Sequence, residues 1–343
     1  MAEMTKTYTN DVLYVASLNL PWEDLTGKNI LITGATGMIG ITLVEVLMSH
    51  TPCKYHVYAS GRNEAKAQVV FAKFLSNSHF HFVKHDVREP LQSDITFHII
   101  IAGAGVASPQ LYATDPVSVM TSNFNGVNNL FSYGIKHGLE KFLYISSGEV
   151  YGEGDGRVFT EDYSGYVNCA TLRACYPSAK RATESLCIAY GHQYGVDVRI
   201  ARPCHIYGPN FSESDQRAYA QFLRDVLADR DIVMKSSGTQ FRSWCYVVDC
   251  VSALLHILLK GRNGEAYNIA DSSSNITIKE FAEILANLTN KRVIIETPAD
   301  IEKNGYNPVR KSIFSMSKIS ALGFSVMHDL KTNLLSIIKY LQQ

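Results

Sequence analysis

The sequence KNILITGATGMIG, residues 28–40, joins a short apolar run to a turn that is rich in glycine. The run 28–33 has the length and composition of a buried β-strand. After the turn, apolar residues repeat at helical spacing at Ile41, Val44 and Leu47. The stretch therefore predicts a strand, a tight turn and a helix in direct succession, which is the repeating unit of parallel α/β sheets.

The glycines of this turn also carry a prediction about binding. Gly34, Gly37 and Gly40 lie where the backbone must turn sharply and where a helix N-terminus favours a negatively charged pyrophosphate. Their spacing is looser than the GxGxxG of the dinucleotide fingerprint, and glycine-rich turns also occur without nucleotides. Between a strand and a helix, however, they favour a dinucleotide site. The residues predicted to contact the dinucleotide here are Gly34, Thr36, Gly37, Met38, Ile39 and Gly40.

Segments that resemble strands and helices alternate along most of the chain. Further strand candidates are 55–60, 80–85, 95–102, 141–146 and 197–202. This alternation predicts a doubly wound parallel α/β sheet, a Rossmann fold, with helices on both faces.

The texture of the sequence changes after Gly208 to shorter, mixed elements. We therefore expect a smaller C-terminal α/β substrate lobe. The predicted divisions are an N-terminal extension at 1–27, a dinucleotide-binding domain at 28–208 that also takes in about 243–270, and a mainly substrate-binding lobe at 209–343.

The composition excludes several classes of protein. Apolar residues make up 46% and charged residues 19% of the 343 residues, as in soluble globular proteins. Lys+Arg and Asp+Glu both number 32, so no global field would recruit nucleic acid or a membrane surface. The seven cysteines lack the spacing of zinc or disulfide frameworks, so we expect no metal site and a reducing, cytosolic compartment. No apolar run approaches the length of a membrane span.

The second predicted strand ends without the acid that usually holds the adenosine ribose. Residues 59–62 read Ala-Ser-Gly-Arg where an Asp or Glu would bind the 2′-hydroxyl. Arg62 would pair with a 2′-phosphate, stack on adenine, or be an ordinary surface arginine. The sequence leaves these alternatives open.

Catalytic candidates cluster after the strand at 141–146. Ser147 and Glu149 follow it, at the edge where a parallel sheet opens onto its ligand. Tyr176 and Lys180 are four residues apart, so a helix would place both on one face. A nearby ammonium favours the phenolate, which would let the tyrosine act as a base near neutral pH. Glu149 is either a solvated loop charge or an acid–base group of the site.

Together these motifs resemble the extended short-chain dehydrogenase/reductases, the NAD-dependent epimerase/dehydratase family of nucleotide-sugar enzymes. RPCHIYGPN (202–210) and TQFRSWCYVVD (239–249) stand where that family has its RxxxxYGP and QxRxxxYVxD segments. Within the family the wording is most similar to UDP-glucuronate decarboxylases. The segments that carry this similarity are KHDVREPL (84–91), ASPQLYATDPV (107–117), NFNGVNNL (123–130) and EDYSGYVNCATLRACYPSAKR (161–181).

The resemblance implies a role for each catalytic candidate. Ser147 would hydrogen-bond the sugar O4, Tyr176 would be the base, and Lys180 would tune Tyr176 and contact the nicotinamide ribose. Glu149 matches the glutamate of the decarboxylase site. The implied reaction begins with oxidation of the sugar at C4 by a bound nicotinamide cofactor, and a glucuronate would then lose CO2.

The resemblance also implies binding residues. Asp86 and Val87 would lie beside the adenine, and Arg242 and Arg310 would grip the nucleotide diphosphate. His205 occupies a site usually held by Asn beside the sugar nucleotide. The expected cofactor is NAD, with NADP as the alternative that Arg62 would favour.

One departure bears on the reaction. Gly148 replaces a serine that would face the sugar carboxylate, and we expect Glu149 to reach C5 and C6 through the space that Gly148 leaves open. Other reactions that start from the same site are 4-epimerisation, 4,6-dehydration and net reduction. A non-catalytic nucleotide-binding protein or sensor is the alternative from another class.

We also expect a homodimer. The helix after Asp115 and the helix that carries Tyr176 and Lys180 are apolar on more than one face, and relatives pair these helices across a dimer.

Overall fold

The computed structural model describes residues 7–213, 215–296 and 309–343. The strands are β1 Asn29–Thr33, β2 His56–Gly61, β3 Phe80–Lys84, β4 Ile99–Ala102, β5 Lys141–Ile145, β6 Asp197–Pro203, β7 His205–Tyr207, β8 Ile232–Met234, β9 Phe241–Tyr246, β10 Glu265–Ile269, β11 Asp271–Thr277, β12 Val293–Ile295 and β13 Lys311–Ser312. The helices are α1 Tyr8–Ala16, α2 Met38–Ser49, α3 Glu64–Val70, α4 Pro109–Thr114, α5 Pro116–Lys136, α6 Cys175–Tyr194, α7 Ala218–Leu227, α8 Val247–Lys260, α9 Ile278–Leu288, α10 Ser317–Ser320 and α11 Leu330–Leu341.

Seven of the described strands form a single parallel sheet in the order β10-β6-β5-β4-β1-β2-β3. Strands β1 and β4 are buried along nearly their whole length, as expected for a sheet that helices cover on both faces. The order of connection reverses between β1 and β4, so a crevice opens there at the carboxyl edge. The predicted doubly wound Rossmann sheet is confirmed.

The fourth strand is shorter than its sequence predicts. The apolar stretch 95–102 forms a strand only from Ile99. Before that residue, side chains rather than a neighbouring strand satisfy the backbone, because Asn29 Nδ2 donates to the Thr96 carbonyl at 2.8 Å and Tyr133 Oη donates to the Ile95 carbonyl at 2.6 Å. Phe97 is therefore buried by the packing of its side chain, although it does not belong to a strand.

Capping residues define the N-termini of two helices. Asp115 accepts a hydrogen bond from the Ser118 N–H, and Pro116 is the first residue of α5. At α9, the Thr277 hydroxyl and the Glu280 carboxylate each bond the other's backbone N–H, which is the predicted capping box.

The C-terminal part of the chain adds two small sheets beside the large one. Strand β9 pairs with β11, β13 and β7, and β8 pairs with β12. Strand β10 instead pairs with β6 and extends the main sheet, and helix α8 packs against β6. The C-terminal strands thus bring residues 309–314 next to β9, beside the carboxyl edge of the main sheet.

The first helix is tied to the rest of the chain through a buried carboxylate. Asp11 of α1 accepts hydrogen bonds from the Tyr246 hydroxyl at 3.0 Å and the Ser336 hydroxyl at 3.1 Å, and His328 Nε2 lies 3.4 Å away. Burial raises the pKa of Asp11, which these partners partly oppose. Helix α1 therefore joins the core through both polar and apolar contacts.

Candidate active site

The glycine turn leaves no room for side chains. Gly34 has φ of +69°, and a Cβ there would lie 2.8 Å from the Gly103 carbonyl oxygen after β4. A Cβ at Gly40 would lie 2.4 Å from the Gly34 oxygen, and one at Gly37 would lie 3.2 Å from the same atom. Gly34 is thus needed for backbone shape at the point where the strand order reverses, and Gly40 lets α2 start close against the turn that follows β1.

A cavity of about 150 Å³ lies directly on this turn. It is lined by Ile32, Thr33, Gly34, Gly37, Met38, Ile39, Gly40, Leu43, Gly103, Ile145 and Arg217. Helix α2 begins there, so the N–H groups of its first turn, which have no partner within the helix, point at the cavity. The crowded glycines and the helix N-terminus fit the pyrophosphate of a dinucleotide.

The residues expected at the adenosine end lie together beyond β2 and β3. Thr36 sits against the end of β2, because a Cβ at Gly61 would meet its Oγ1 at 3.4 Å. Asp86 Oδ2 accepts a hydrogen bond from Arg88 Nη2 at 2.6 Å and lies 3.9 Å from Arg62 Nη1. These contacts lower the pKa of Asp86 to about 2. Val87 is buried against α5. Arg62 is 69% exposed and faces Asp86, so its charge is partly matched.

Ser147, Tyr176 and Lys180 meet at the carboxyl edge of β5. The Ser147 hydroxyl accepts from the Glu149 N–H at 3.2 Å and lies close enough to Tyr176 to lower the pKa of its phenol. Lys180 donates to the Ile145 carbonyl at 3.0 Å, and its Nζ lies 5.7 Å from the centroid of the Tyr176 ring. The spacing of Tyr176 and Lys180 therefore does place both side chains on the face of α6 that borders β5.

The electrostatics of this group differ from the expectation based on the lysine. Burial raises the pKa of Tyr176 well above its ordinary value and the Glu149 charge acts in the same direction, while Ser147, Arg173 and Arg217 oppose them. Burial also lowers the pKa of Lys180 to about 8. Lys180 is not among the groups that shift Tyr176 most, because its ammonium is directed to the Ile145 carbonyl.

Glu149 is not a solvated loop charge. Arg173 Nη2 donates to both of its carboxylate oxygens, at 2.6 and 2.7 Å, and only 25% of the Glu149 side chain is exposed. Arg173 also lies on the ring of Tyr112, which stacks on the ring of Tyr176. Glu149 is thus a fixed member of the same cluster as the tyrosine.

The expected open space at Gly148 is absent. A Cβ at Gly148 would lie 2.2 Å from Cζ of Phe314, whose ring is only 4% exposed. Phe314 follows β13, and its N–H bonds the Ser243 hydroxyl on β9 at 3.2 Å. The prediction that Glu149 reaches the sugar through a gap at Gly148 was therefore wrong, because an aromatic ring fills that gap.

The residues expected to bind the nucleotide sugar lie on β7, on β9 and directly before β13. Arg242 is 2% exposed and donates to the carbonyls of Phe241, at 3.0 Å, and Val309, and burial lowers its pKa to about 10. This burial excludes a surface ion pair. Burial also lowers the pKa of His205 to about 3, with the Arg242 and Arg217 charges acting in the same direction, so His205 is neutral. Within the described chain, the buried Nδ1 of His205 has no partner. Arg310 is exposed beside them, where its carbonyl accepts from the Phe241 N–H.

Four residues of the site were missed in the sequence. They are Tyr112, Arg173, Arg217 and Phe314. Arg217 lines the cavity and pairs with Asp215 at 2.5 Å. Of the four, Arg173 is the residue that the sequence could have indicated, because it lies only three residues before Tyr176. Within the described residues, no cluster of three or more histidine, cysteine, aspartate or glutamate side chains is arranged to hold a metal ion.

The site is that of a short-chain dehydrogenase/reductase, since a tyrosine and a lysine one helical turn apart face a serine at the carboxyl edge of a dinucleotide-binding sheet. The model of the NAD dependent epimerase/dehydratase family matches residues 30–270. The chain belongs to this family of enzymes, which confirms the resemblance seen in the sequence. Family membership also confirms NAD as the cofactor.

No helix in the described parts of the chain is long and apolar enough to cross a membrane.

Two similar proteins are UDP-glucuronic acid decarboxylases, whose substrate is a nucleotide sugar. UDP-glucuronic acid decarboxylase 6 of Arabidopsis thaliana is 33% identical over 281 residues, which cover 80% of this chain and 79% of that protein. UDP-glucuronic acid decarboxylase 1 of Danio rerio is 32% identical over 273 residues, which cover 78% of this chain and 62% of that protein.

A solved structure shows the same fold. The UDP-glucuronic acid 4-epimerase of Bacillus cereus, in complex with UDP-glucuronic acid and NAD, has a TM-score of 0.78 and 23% identity. The match covers 92% of this chain and 99% of that chain.

Proposed function

We propose that this protein oxidises a nucleotide sugar at C4 with bound NAD, and that its substrate is UDP-glucuronate, which it decarboxylates. The observation that carries the proposal is the cluster of Ser147, Tyr176 and Lys180 beside the dinucleotide cavity, with Glu149 fixed next to Tyr176. The named relatives support the choice of UDP-glucuronate.

The side chains have defined roles in the first step. Bound NAD supplies the hydride acceptor and later returns the hydride. Ser147 holds the sugar O4, and Tyr176 accepts its proton as the C4–H bond breaks. Ser147, Arg173 and Arg217 favour the charged form of Tyr176, against the burial that disfavours it. Arg242 would bind the diphosphate with its charge, and its bonds to two backbone carbonyls hold the guanidinium in position near His205.

The second step uses the ketone that the first step creates. A ketone at C4 is β to the C6 carboxylate, so the C5–C6 bond can break and CO2 can leave as its electrons pass into an enolate. Protonation at C5 then gives a 4-keto pentose, and the pentose itself would require return of the hydride to C4 and of the proton from Tyr176 to O4. Glu149 is placed to relay that proton, because it is held beside Tyr176 by Arg173.

A 4-epimerase is the second candidate, and Gly148 favours it. Decarboxylases of the family carry a hydroxyl at this position, which is here replaced by the Phe314 ring. A 4-epimerase needs only the oxidation, rotation of the 4-keto sugar and reduction from the other face.

Incubation of the enzyme with UDP-glucuronate and mass spectrometry of the product separates these reactions. We expect a UDP-pentose and one CO2 per turnover. A product of unchanged mass but different stereochemistry would identify the epimerase instead. If no member of a panel of UDP-, dTDP-, CDP- and GDP-sugars reduces bound NAD, the proposal of C4 oxidation is refuted.

Glu149→Gln tests the second step. The variant should still reduce bound NAD when UDP-glucuronate is added, yet release product more slowly by about 10²–10⁴-fold, the span for one acid–base group. Loss of both steps together would make Glu149 a binding residue, and loss of neither would remove it from the mechanism.

We further propose a cytosolic homodimer. Five large apolar or aromatic residues on α5 and α6 are exposed, Val117, Met120, Phe124, Ile188 and Tyr194. These side chains lie on the two helices expected to pair across the dimer, and burying them would be favourable. All seven cysteines are unpaired, which fits a reducing compartment. Light scattering at micromolar concentration should give twice the chain mass of 38.1 kDa, and a monomer would contradict the dimer.

A further inference from the structure

Arg173 connects Glu149 to the rest of the site. It lies in the short helical turn Leu172–Ala174, immediately before α6. Its Nη2 lies 2.6 and 2.7 Å from the two carboxylate oxygens of Glu149. The two side chains are 17% and 25% exposed, so these charge-assisted hydrogen bonds are weakly screened by solvent. Glu149 is therefore held in position by Arg173.

The same guanidinium lies on an aromatic stack that ends at the base. Arg173 Cζ is 4.7 Å from the centroid of the Tyr112 ring, a cation–π contact. The Tyr112 and Tyr176 rings stack with centroids 4.9 Å apart and 20° between their planes. These two rings are 4% and 6% exposed, so the stack is enclosed by protein. Arg173 thus borders the ring that packs directly on Tyr176.

The charges that face the Tyr176 phenol oppose one another. The polar and titratable groups around it are Glu149, Arg173, Arg217, Lys180, Tyr112, Tyr144 and Ser147. Apart from burial, Glu149 raises the pKa of Tyr176 most, while Arg173 lowers it. Without Arg173, Glu149 would lose the positive charge that is bonded to it, and its effect on Tyr176 would be opposed less strongly across a poorly solvated site, where charges interact strongly.

We propose that Arg173 is a positioning residue for the C4 oxidation, which holds Glu149 in place and shields the Tyr176 phenol from its charge. This role rests on the proposed function, in which Tyr176 accepts the O4 proton. It adds a requirement to that function, because the carboxylate used in the second step would otherwise hinder the first.

A titration that needs no substrate tests the shielding. 3-Fluorotyrosine incorporated at position 176 has a more acidic phenol than tyrosine, and its fluorine chemical shift reports ionisation in the full-length protein. Arg173→Met should raise the titration midpoint by about one pH unit, a tenfold loss of phenolate. Arg173→Lys keeps the charge, so its midpoint should stay near that of the wild type. A midpoint unchanged in Arg173→Met would overturn the proposal.

A double variant separates shielding from a structural role. In Glu149→Gln/Arg173→Met both charges are gone, so the midpoint should return to the wild-type value or below it. A midpoint that stays raised would overturn the proposal, because the effect would then not pass through Glu149. If Arg173→Met does not fold, the double variant decides alone, since it buries no unpaired charge.

The kinetic form of the experiment follows bound NAD reduction after addition of UDP-glucuronate across a range of pH. The rising limb of the rate, on which Tyr176 loses its proton, should shift to higher pH in Arg173→Met by the same amount as the fluorine titration. If no nucleotide sugar reduces NAD, the proposed function fails, but the fluorine titration still decides the role of Arg173.

Discussion

Gly148→Ala should destabilise the protein and disturb its site at once, because the added methyl group has nowhere to go. The new Cβ would lie 2.2 Å from Phe314 Cζ, with two further ring atoms at 2.9 and 3.1 Å. Carbon atoms normally pack at about 3.5–4.0 Å, so the ring or the loop must move by more than about 1 Å. Overpacking of this kind costs about 1–3 kcal/mol of unfolding free energy.

The assay is urea denaturation, in which the midpoint and the slope are compared across a cycle of variants. Phe314→Leu alone should also destabilise, since it removes part of a buried ring. In the double variant Gly148→Ala/Phe314→Leu, however, the smaller side chain leaves room for the methyl group. The double variant should therefore be more stable than the two separate losses predict, by about 1–3 kcal/mol.

Gly61→Ala is the matched control, because its nearest contact would be an ordinary 3.4 Å to Thr36 Oγ1. It should change stability by less than about 0.5 kcal/mol. The Gly148→Ala enzyme should also turn over about 10²-fold more slowly, since the loop that moves carries Ser147 and Glu149. Additive effects in the cycle, or a Gly148→Ala protein as stable as the wild type, would refute the contact.

Three further predictions follow from buried and charged groups. Tyr176→Phe should abolish NAD reduction by substrate while leaving the NAD dissociation constant within about threefold, because only the proton acceptor is lost; near-normal turnover would refute its role. Arg62→Ala should weaken NADP more than NAD in calorimetric titrations, and the wild type should bind NAD more tightly; tighter NADP binding in the wild type would reverse that assignment. Burial raises the pKa of Asp249 from 3.8 to about 8, so the native protein binds this proton more tightly than the unfolded chain does. Stability should therefore fall as pH rises from 3.8 to about 8, and Asp249→Asn should remove that fall when denaturation midpoints are compared across pH; an equal fall in the variant would exclude Asp249 as its source.

Local signals were sufficient for the parts of the molecule that depend on neighbours in sequence. The glycine turn at 34–40, the cap at Asp115 and the capping box at Thr277 are each short patterns whose geometry the backbone imposes. The pairing of Tyr176 with Lys180 is of the same kind, because helical spacing alone brings them to one face.

Contacts between distant segments were not predictable in this way. Nothing near Gly148 in the sequence indicates that Phe314 will fill the space beside it, and the gap was therefore expected to be open. The partner of Glu149 was missed for the same reason, since Arg173 is 24 residues away in sequence and the direction of its side chain is set by packing on Tyr112. The pKa of Tyr176 was misjudged because it depends on total burial, which a spacing pattern does not report.

The contact between Phe314 and Gly148 has a consequence for how the chain is made. The main sheet is complete once β10, ending at Ile269, has been synthesised. The loop that carries Ser147 and Glu149, in contrast, acquires its last wall only when residues 311–314 have emerged and paired with β9. A nascent chain that has reached the end of β10 therefore contains the whole dinucleotide-binding turn, but its catalytic site still lacks the contact with Phe314. Because long-range pairings of this kind form late, catalytic competence should be the last property that the polypeptide gains during its biogenesis.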